Sequence, residues 1–192
     1  MSLPQPPIDE FRAISNADLI ARYSIGVENF DRRIFELTDE QLDMAWLPSA
    51  GVGRWPVRVL LGHLADAELA FVMRMRQVVA EERPTFAVWD ENALIESGLY
   101  QGADGRQGPK HPIGAFVAVI HTLRKWHGPW LATLSEEQFR RKALHPERGE
   151  QTARIVLEYA AWHLEHHAWY LRAKVERLLG SPAPAGRGST AG

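Results

Sequence analysis

The chain has 192 residues, a hydrophobic fraction of 45%, a charged fraction of 24% and a formal charge of −2, values that fit one soluble globular domain with a sizeable core. So small a net charge gives no electrostatic reason to expect nucleic acid or an anionic membrane as a partner. With no cysteine in the chain, disulfides, thiolate metal knots, iron–sulfur clusters and cysteine nucleophiles are excluded, and any metal must be held by nitrogen and oxygen ligands, which suit zinc, nickel, iron or manganese.

The opening residues Met1 to Pro7 carry neither the cationic nor the apolar segment of a signal peptide, and no apolar run approaches the roughly eighteen residues of a spanning helix. The expected location is cytoplasmic. A first long helix is predicted from Ser15 or Asn16, capped by Ser15 with Asp18 three residues on, to about Leu37; Leu19, Ile20, Tyr23, Val27, Phe30, Ile34 and Leu37 recur at helical spacing. Thr38 and Asp39 read as the cap of a short helix through Leu42. A second helix starts at Trp55-Pro56, proline suiting a first turn, and continues with Val57, Leu60, Leu61, Leu64, Phe71, Met75 and Val78 on one face until Pro84. The stretch from Pro84 to Pro112 is long for a connection and glycine-rich between Gly98 and Gly108; such loops tend to be lids or disordered. A third helix is predicted from Ile113 to Leu134, interrupted or bent at Gly128-Pro129, followed by a short one capped by Ser135. The fourth spans Thr152 to Leu179. With no strand periodicity, the expectation is an all-α four-helix bundle with short extra helices and a long connection between helices two and three. Residues 1–179 form the expected single domain and 180–192 a disordered tail.

Chemistry concentrates in histidines. His163 and His167 lie one helical turn apart and share a stripe with Val156, Ala160, Tyr170 and Leu171 at about 100° per residue, while Glu165 points outward and His166 to one side. Such a pair can serve one metal ion, but two buried imidazoles can equally be hydrogen-bonded core residues, and spacing alone leaves these readings about even. His63 lies on helix two about 60° from Leu60, on a strip with Ala67, Ala70 and Arg74; taken alone it reads as a core histidine. His111, His121, His127 and His145 are expected in loops, on solvated faces or in ordinary packing. Leu164 stands where a zincin needs glutamate, and His166 where the inverted motif needs it, so neither protease signature is present. No phosphate-binding loop, dinucleotide fingerprint or nucleophile elbow occurs either.

The run Gly53-Arg54-Trp55-Pro56-Val57 through Gly62-His63-Leu64-Ala65-Asp66, the segments Glu81 to Phe86 and Trp89-Asp90-Glu91, the loop His145 to Gly149, and Trp162-His163 with His166-His167 together resemble the DinB/YfiT-like family over roughly 50 to 175. The resemblance implies a four-helix bundle, often a homodimer, with one divalent ion held by His63, His163 and His167, zinc and nickel being the usual ions. It also implies a small-molecule substrate. Family members with assigned activity are mainly transferases joining a bacillithiol- or mycothiol-type thiol to an electrophile; others bear the label of metal-dependent hydrolases. Thiol S-transfer is the first expectation, the thiol arriving as co-substrate. Hydrolysis through an activated water ranks second, because no carboxylate lies on the ligand stripes; a metal-stabilised binding or stress protein ranks third. Around the ligands, Asp66 orders His63 or faces solvent. Arg74 holds a carboxylate of the thiol or sits in a solvated or salt-bridged position. Tyr159 and Tyr170 orient substrate or pack in the core.

Overall fold

The computed structural model describes residues 4–100 and 110–181. Most of the glycine-rich stretch and of the tail expected from Gly180 therefore lie outside the described residues. Helix α1 is the short Asp9–Arg12 and α2 is Asn16–Ile25, capped by the Ser15 hydroxyl accepting from Asp18 N. The first long helix ends there rather than at Leu37. Gly26 takes φ 57° and ψ −123°, angles that cannot continue an α-helix, and a Cβ there would meet Arg124 Cδ at 3.0 Å. The chain continues in two 3₁₀ turns, Gly26–Asn29 and Arg32–Glu36. Phe30, Ile34 and Leu37 are still buried, so the spacing marked an inward face that shorter turns present equally well.

Helix α3, Asp39–Leu42, carries the expected reciprocal cap between Thr38 and Gln41. The long helix α4, Val57–Ala80, begins just after Pro56; Arg141 caps its far end by donating to the carbonyls of Val78 and Glu81. A short helix α5, Glu91–Glu96, lies in the connection, where the Asp90 carboxylate accepts from Ala93 N. Helix α6 runs Ile113–Leu131 with Pro129 inside it, so Gly128-Pro129 does not interrupt it but precedes its end by less than a turn. Helix α7, Glu136–Arg140, repeats the reciprocal cap between Ser135 and Gln138.

A hairpin follows that the sequence reading did not contain: β1, Lys142–His145, pairs antiparallel with β2, Gly149–Thr152, with Lys142 opposite Thr152 and His145 opposite Gly149. Strands of four residues are too short for an alternating pattern to register. Phe86 N donates to Leu144 O and Leu144 N to Pro84 O, both at 2.9 Å, tying the connection after α4 to this hairpin. Helix α8, Ala153–Leu179, starts from the Thr152 cap and stops at Gly180.

Helix α4 packs on α6 and on α8, and α2 packs on the same two helices. The apolar interior has two parts: one around Leu19, Phe71, Met75, Val156 and Leu157, the other around Leu61, Leu64, Ile120, Leu164 and Leu171. The changeover falls near residues 65–67 on α4 and 161–164 on α8, close to His63 and His163. Crossing the interior, the buried Arg124 pairs with the buried Glu68 at 2.8 Å and donates to the carbonyls of Tyr23 and Ala160, while the Tyr23 hydroxyl donates to Glu68 at 2.5 Å. Among the described residues no helix is long and apolar enough to cross a membrane.

Candidate metal centre

His63 comes from α4 and His163 and His167 from successive turns of α8. The structure brings one nitrogen of each within 4.8 Å of the others, and His63 Nε2 stands 3.1 Å from His163 Nε2. Two nitrogens about 2.1 Å from a tetrahedral ion would lie roughly 3.4 Å apart, so the closest pair already approximates that spacing. His63 and His163 are buried and His167 is partly exposed. The Nδ1 atoms of His63 and His167 are buried without a hydrogen-bond partner. Burial holds His63 down to about 4 and His167 down to about 2, the latter with smaller contributions from the neighbouring His63, His166 and Lys174, each of which disfavours a second proton nearby; His163 is pushed well below the ordinary range by burial first and then by His167 and His63. All three rings are therefore neutral at neutral pH and keep a lone pair for a cation. Buried, neutral, partly orphaned imidazoles that converge on one point fit a divalent ion better than they fit a core.

Aromatic rings wall the cluster. Trp89 stacks on His63 with centroids 5.9 Å apart and planes 11° from parallel, and Trp55 packs against the same ring at 4.9 Å, tilted by 56°. Phe71 and Tyr159 flank His163 at 5.5 and 5.8 Å. Glu91 Oε2, at the start of α5, lies 3.9 Å from His63 Nδ1.

The four residues expected around the ligands divide. Asp66 does not order His63: its carboxylate takes the Tyr100 hydroxyl at 2.5 Å, because the connection folds Tyr100 back over α4. Arg74 is neither solvated nor salt-bridged; it is buried and donates to Ala87 O at 2.9 Å. Tyr159 stacks on His163, and Tyr170 lies 6.3 Å from His167 and 5.3 Å from His166. Glu165 does not point freely outward but forms a two-point ion pair with Arg22 at 2.7 and 2.8 Å. His127 and His145, expected in loops, on solvated faces or in ordinary packing, are both buried.

Sequence reasoning missed Glu91 as a neighbour of His63, since it sought carboxylates on the helices and this one arrives from the connection; the helix-capping Asp90 beside Trp89 was the available signal. It also missed Lys174, buried, pushed down to about 8 by desolvation and held by the carbonyls of Val52 and Gly53. With Trp55, Tyr170 and His167 it lines a recess of about 240 Å³. A larger one, about 500 Å³, opens past Trp89 and Glu91 to Arg74, His145 and Arg148.

The family model described as the DinB superfamily matches residues 22–171. YfiT of Bacillus subtilis, provisionally named a metal-dependent hydrolase, is 31% identical over 146 residues, covering 74% of each chain. A relative from Oceanobacillus iheyensis with the same provisional name is 28% identical over 178 residues, covering 89% of this chain and 95% of its own. The solved structure of Bacillus subtilis YfiT, described as a probable metal-dependent hydrolase with an unusual four-helix bundle topology, superposes with a TM-score of 0.71 at 23% identity, covering 92% of this chain and 94% of that one. Matched across its helices, this chain belongs to the DinB superfamily as a YfiT-like four-helix bundle.

Proposed function

We propose that this protein is a hydrolase of small-molecule amides or esters that works with one divalent ion held by His63, His163 and His167, zinc or nickel ahead of iron or manganese. The observation that carries the reading is the convergence of three neutral imidazoles within 4.8 Å, inside a wall of aromatic rings. The names of the relatives agree with it. A divalent ion bound there supplies a Lewis acid that polarises a carbonyl oxygen and acidifies water.

The chain's own residues set the conditions. Burial keeps protons off the three rings, so the ligand lone pairs survive well below neutral pH. Glu91 faces Nδ1 of His63 while Nε2 faces His163. At 3.9 Å the two do not form a hydrogen bond, but the negative charge of Glu91 favours the tautomer with the proton on Nδ1 and the lone pair turned inward. Trp55, Trp89 and Phe71 lower the local dielectric around a carbonyl entering the cluster, which strengthens every charge interaction there.

Transfer of a low-molecular-weight thiol to an electrophile is the second reading. A chain without cysteine offers no thiol of its own, so the co-substrate would have to bring it.

The test is elemental analysis of wild-type protein and His163→Ala, alongside turnover of activated esters and anilides with and without an added thiol. The expected result is about one divalent ion per chain in the wild type, lost together with ester turnover in the variant. No ion in either protein after reconstitution removes the proposal. Electrophile loss that depends on, and matches, thiol consumption moves the assignment to the second reading.

A further inference from the structure

Among the described residues three arginines are buried, and two of them meet a carboxylate. Arg58 pairs with Asp43 at 2.7 Å and with Asp39, and Arg124 pairs with Glu68 at 2.8 Å. Arg74 is 7% exposed, yet among the described residues its one hydrogen bond goes to the carbonyl of Ala87 and none of their carboxylates lies within ion-pair distance of it. Removing a guanidinium from water without an anion is costly. A second cation adds to the cost: Arg148, held 4.7 Å over the Tyr159 ring, repels Arg74, and Glu147 offsets this without reaching ion-pair distance. The face of the Phe86 ring, 5.6 Å from the guanidinium, offsets part of this cost, but no anion among the described residues pairs with it.

Arg74 and Arg148 line the recess of about 500 Å³ that also holds His145, Trp89 and Glu91, a volume within the range of small-molecule sites. The recess adjoins the histidine cluster at two points: Trp89 stacks on His63, and Tyr159 lies between Arg148 and His163. We propose that Arg74, backed by Arg148, receives a carboxylate of the substrate and so directs its reacting group toward His63, His163 and His167. The position of the reacting group rests on the hydrolase reading; the anion contact does not. A planar carboxylate matches the guanidinium fork with two parallel hydrogen bonds. A phosphate fits less well, because Asp90, Glu91 and Glu147 line the same recess and would repel a second negative charge. The substrate class is therefore a small amide or ester bearing one carboxylate.

Hippurate, which combines an amide with a carboxylate, is the probe, with hippuramide as its uncharged counterpart and inorganic phosphate as the competing anion. Zinc-loaded ¹⁵N-labelled protein is titrated with each, following the Arg74 Nε–H resonance and the overall affinity in wild type, Arg74→Met, Arg74→Lys and Arg148→Met. Hippurate is expected to shift Arg74 and to bind about tenfold or more tightly than hippuramide. Arg74→Met should lose that preference while keeping its metal, and its Tm should be unchanged or higher, since an unpaired buried charge has been replaced by an apolar chain of similar reach. Arg74→Lys should retain part of the preference, and the exposed Arg148→Met should reduce it. The proposal is overturned by equal affinity for hippurate and hippuramide in the wild type, by tighter binding of phosphate, or by no shift of Arg74 with any of the three at about 50 mM. A fall in Tm in Arg74→Met with hippurate affinity intact would make Arg74 a clamp for Ala87 alone. Repeating the titration on chelator-stripped protein separates the two readings. A hippurate preference without bound metal upholds Arg74 and leaves the hydrolase reading to its own metal analysis, whereas metal without the preference overturns the anion contact alone.

Discussion

His127 is fully buried against Tyr23, Trp126 and Trp130, and neither of its ring nitrogens has a hydrogen-bond partner. Burial, with a smaller contribution from the charge of Arg76, pushes it down to about 4. The unfolded chain takes up this proton near pH 6.5, so the folded state has the full benefit of the neutral ring above that pH and loses it as pH falls toward 4. The loss amounts to about 3 kcal/mol. His127→Leu removes the group from the balance, and urea unfolding at about pH 5 and about pH 7.5 should show a smaller difference between the two conditions than in wild type. An unchanged difference would mean that His127 is not the neutral buried ring described. Its burial was hard to read from sequence. The neighbouring Gly128-Pro129 pointed to a break, whereas Gly128 instead lets α2 approach: a Cβ there would fall 2.5 Å from Ser24 Oγ. The Arg124–Glu68–Tyr23 network escaped for a related reason, since its members lie on three elements and no local spacing links them.

At the scale of elements, the segment after α4 is held at both ends. The hairpin ties Pro84 and Phe86, and Tyr100 lies flat on α4 with its hydroxyl on Asp66. Gly62 makes the second tie possible: a Cβ there would fall 2.2 Å from Tyr100 Cδ1 and 2.6 Å from Cγ. Alanine is worth about 1 kcal/mol more than glycine inside a helix, whereas expelling a packed ring costs about 1–3 kcal/mol. Gly62→Ala is therefore expected to lower the unfolding midpoint and to speed proteolysis within residues 87–98, with His63 still on its helix and metal content retained. A stabilised, equally protected variant would show that Tyr100 is not held there. The connection was legible as long, but not as tied. Pairing of Phe86 with Leu144 joins residues far apart in sequence, and strands of four residues leave no pattern. Glu91 was lost with it, which is why hydrolysis ranked below thiol transfer on the helices alone.

For the molecule as a whole, His63 and His163 are separated by 100 residues of chain, so an ion taken by both, with His167, joins α4 to α8 in the folded state only. Ligands of that kind stabilise by mass action. Chelation is expected to lower the thermal midpoint of wild type by about 2–4 °C for each kcal/mol of binding lost, with helical dichroism kept at low temperature because both helices also bury long apolar faces. His163→Ala should show no response to the chelator; a variant that responds like wild type would place the ion elsewhere. The bundle was readable in sequence because α4, α6 and α8 carry sustained helical periodicity. The histidine triad was readable only when that periodicity was joined to the family resemblance, since His63 alone gives no signal. The first helix was overextended because the inward face of residues 26–37 persists after the helix itself stops at Gly26. The placing of His63 has one more consequence. Of the seven tryptophans in the chain, Trp55 and Trp89 both pack against this one imidazole. Whatever occupies the cluster changes the electronic surroundings of both indoles at once, so the protein carries an optical gauge of its own occupancy, readable in ultraviolet emission without any attached dye.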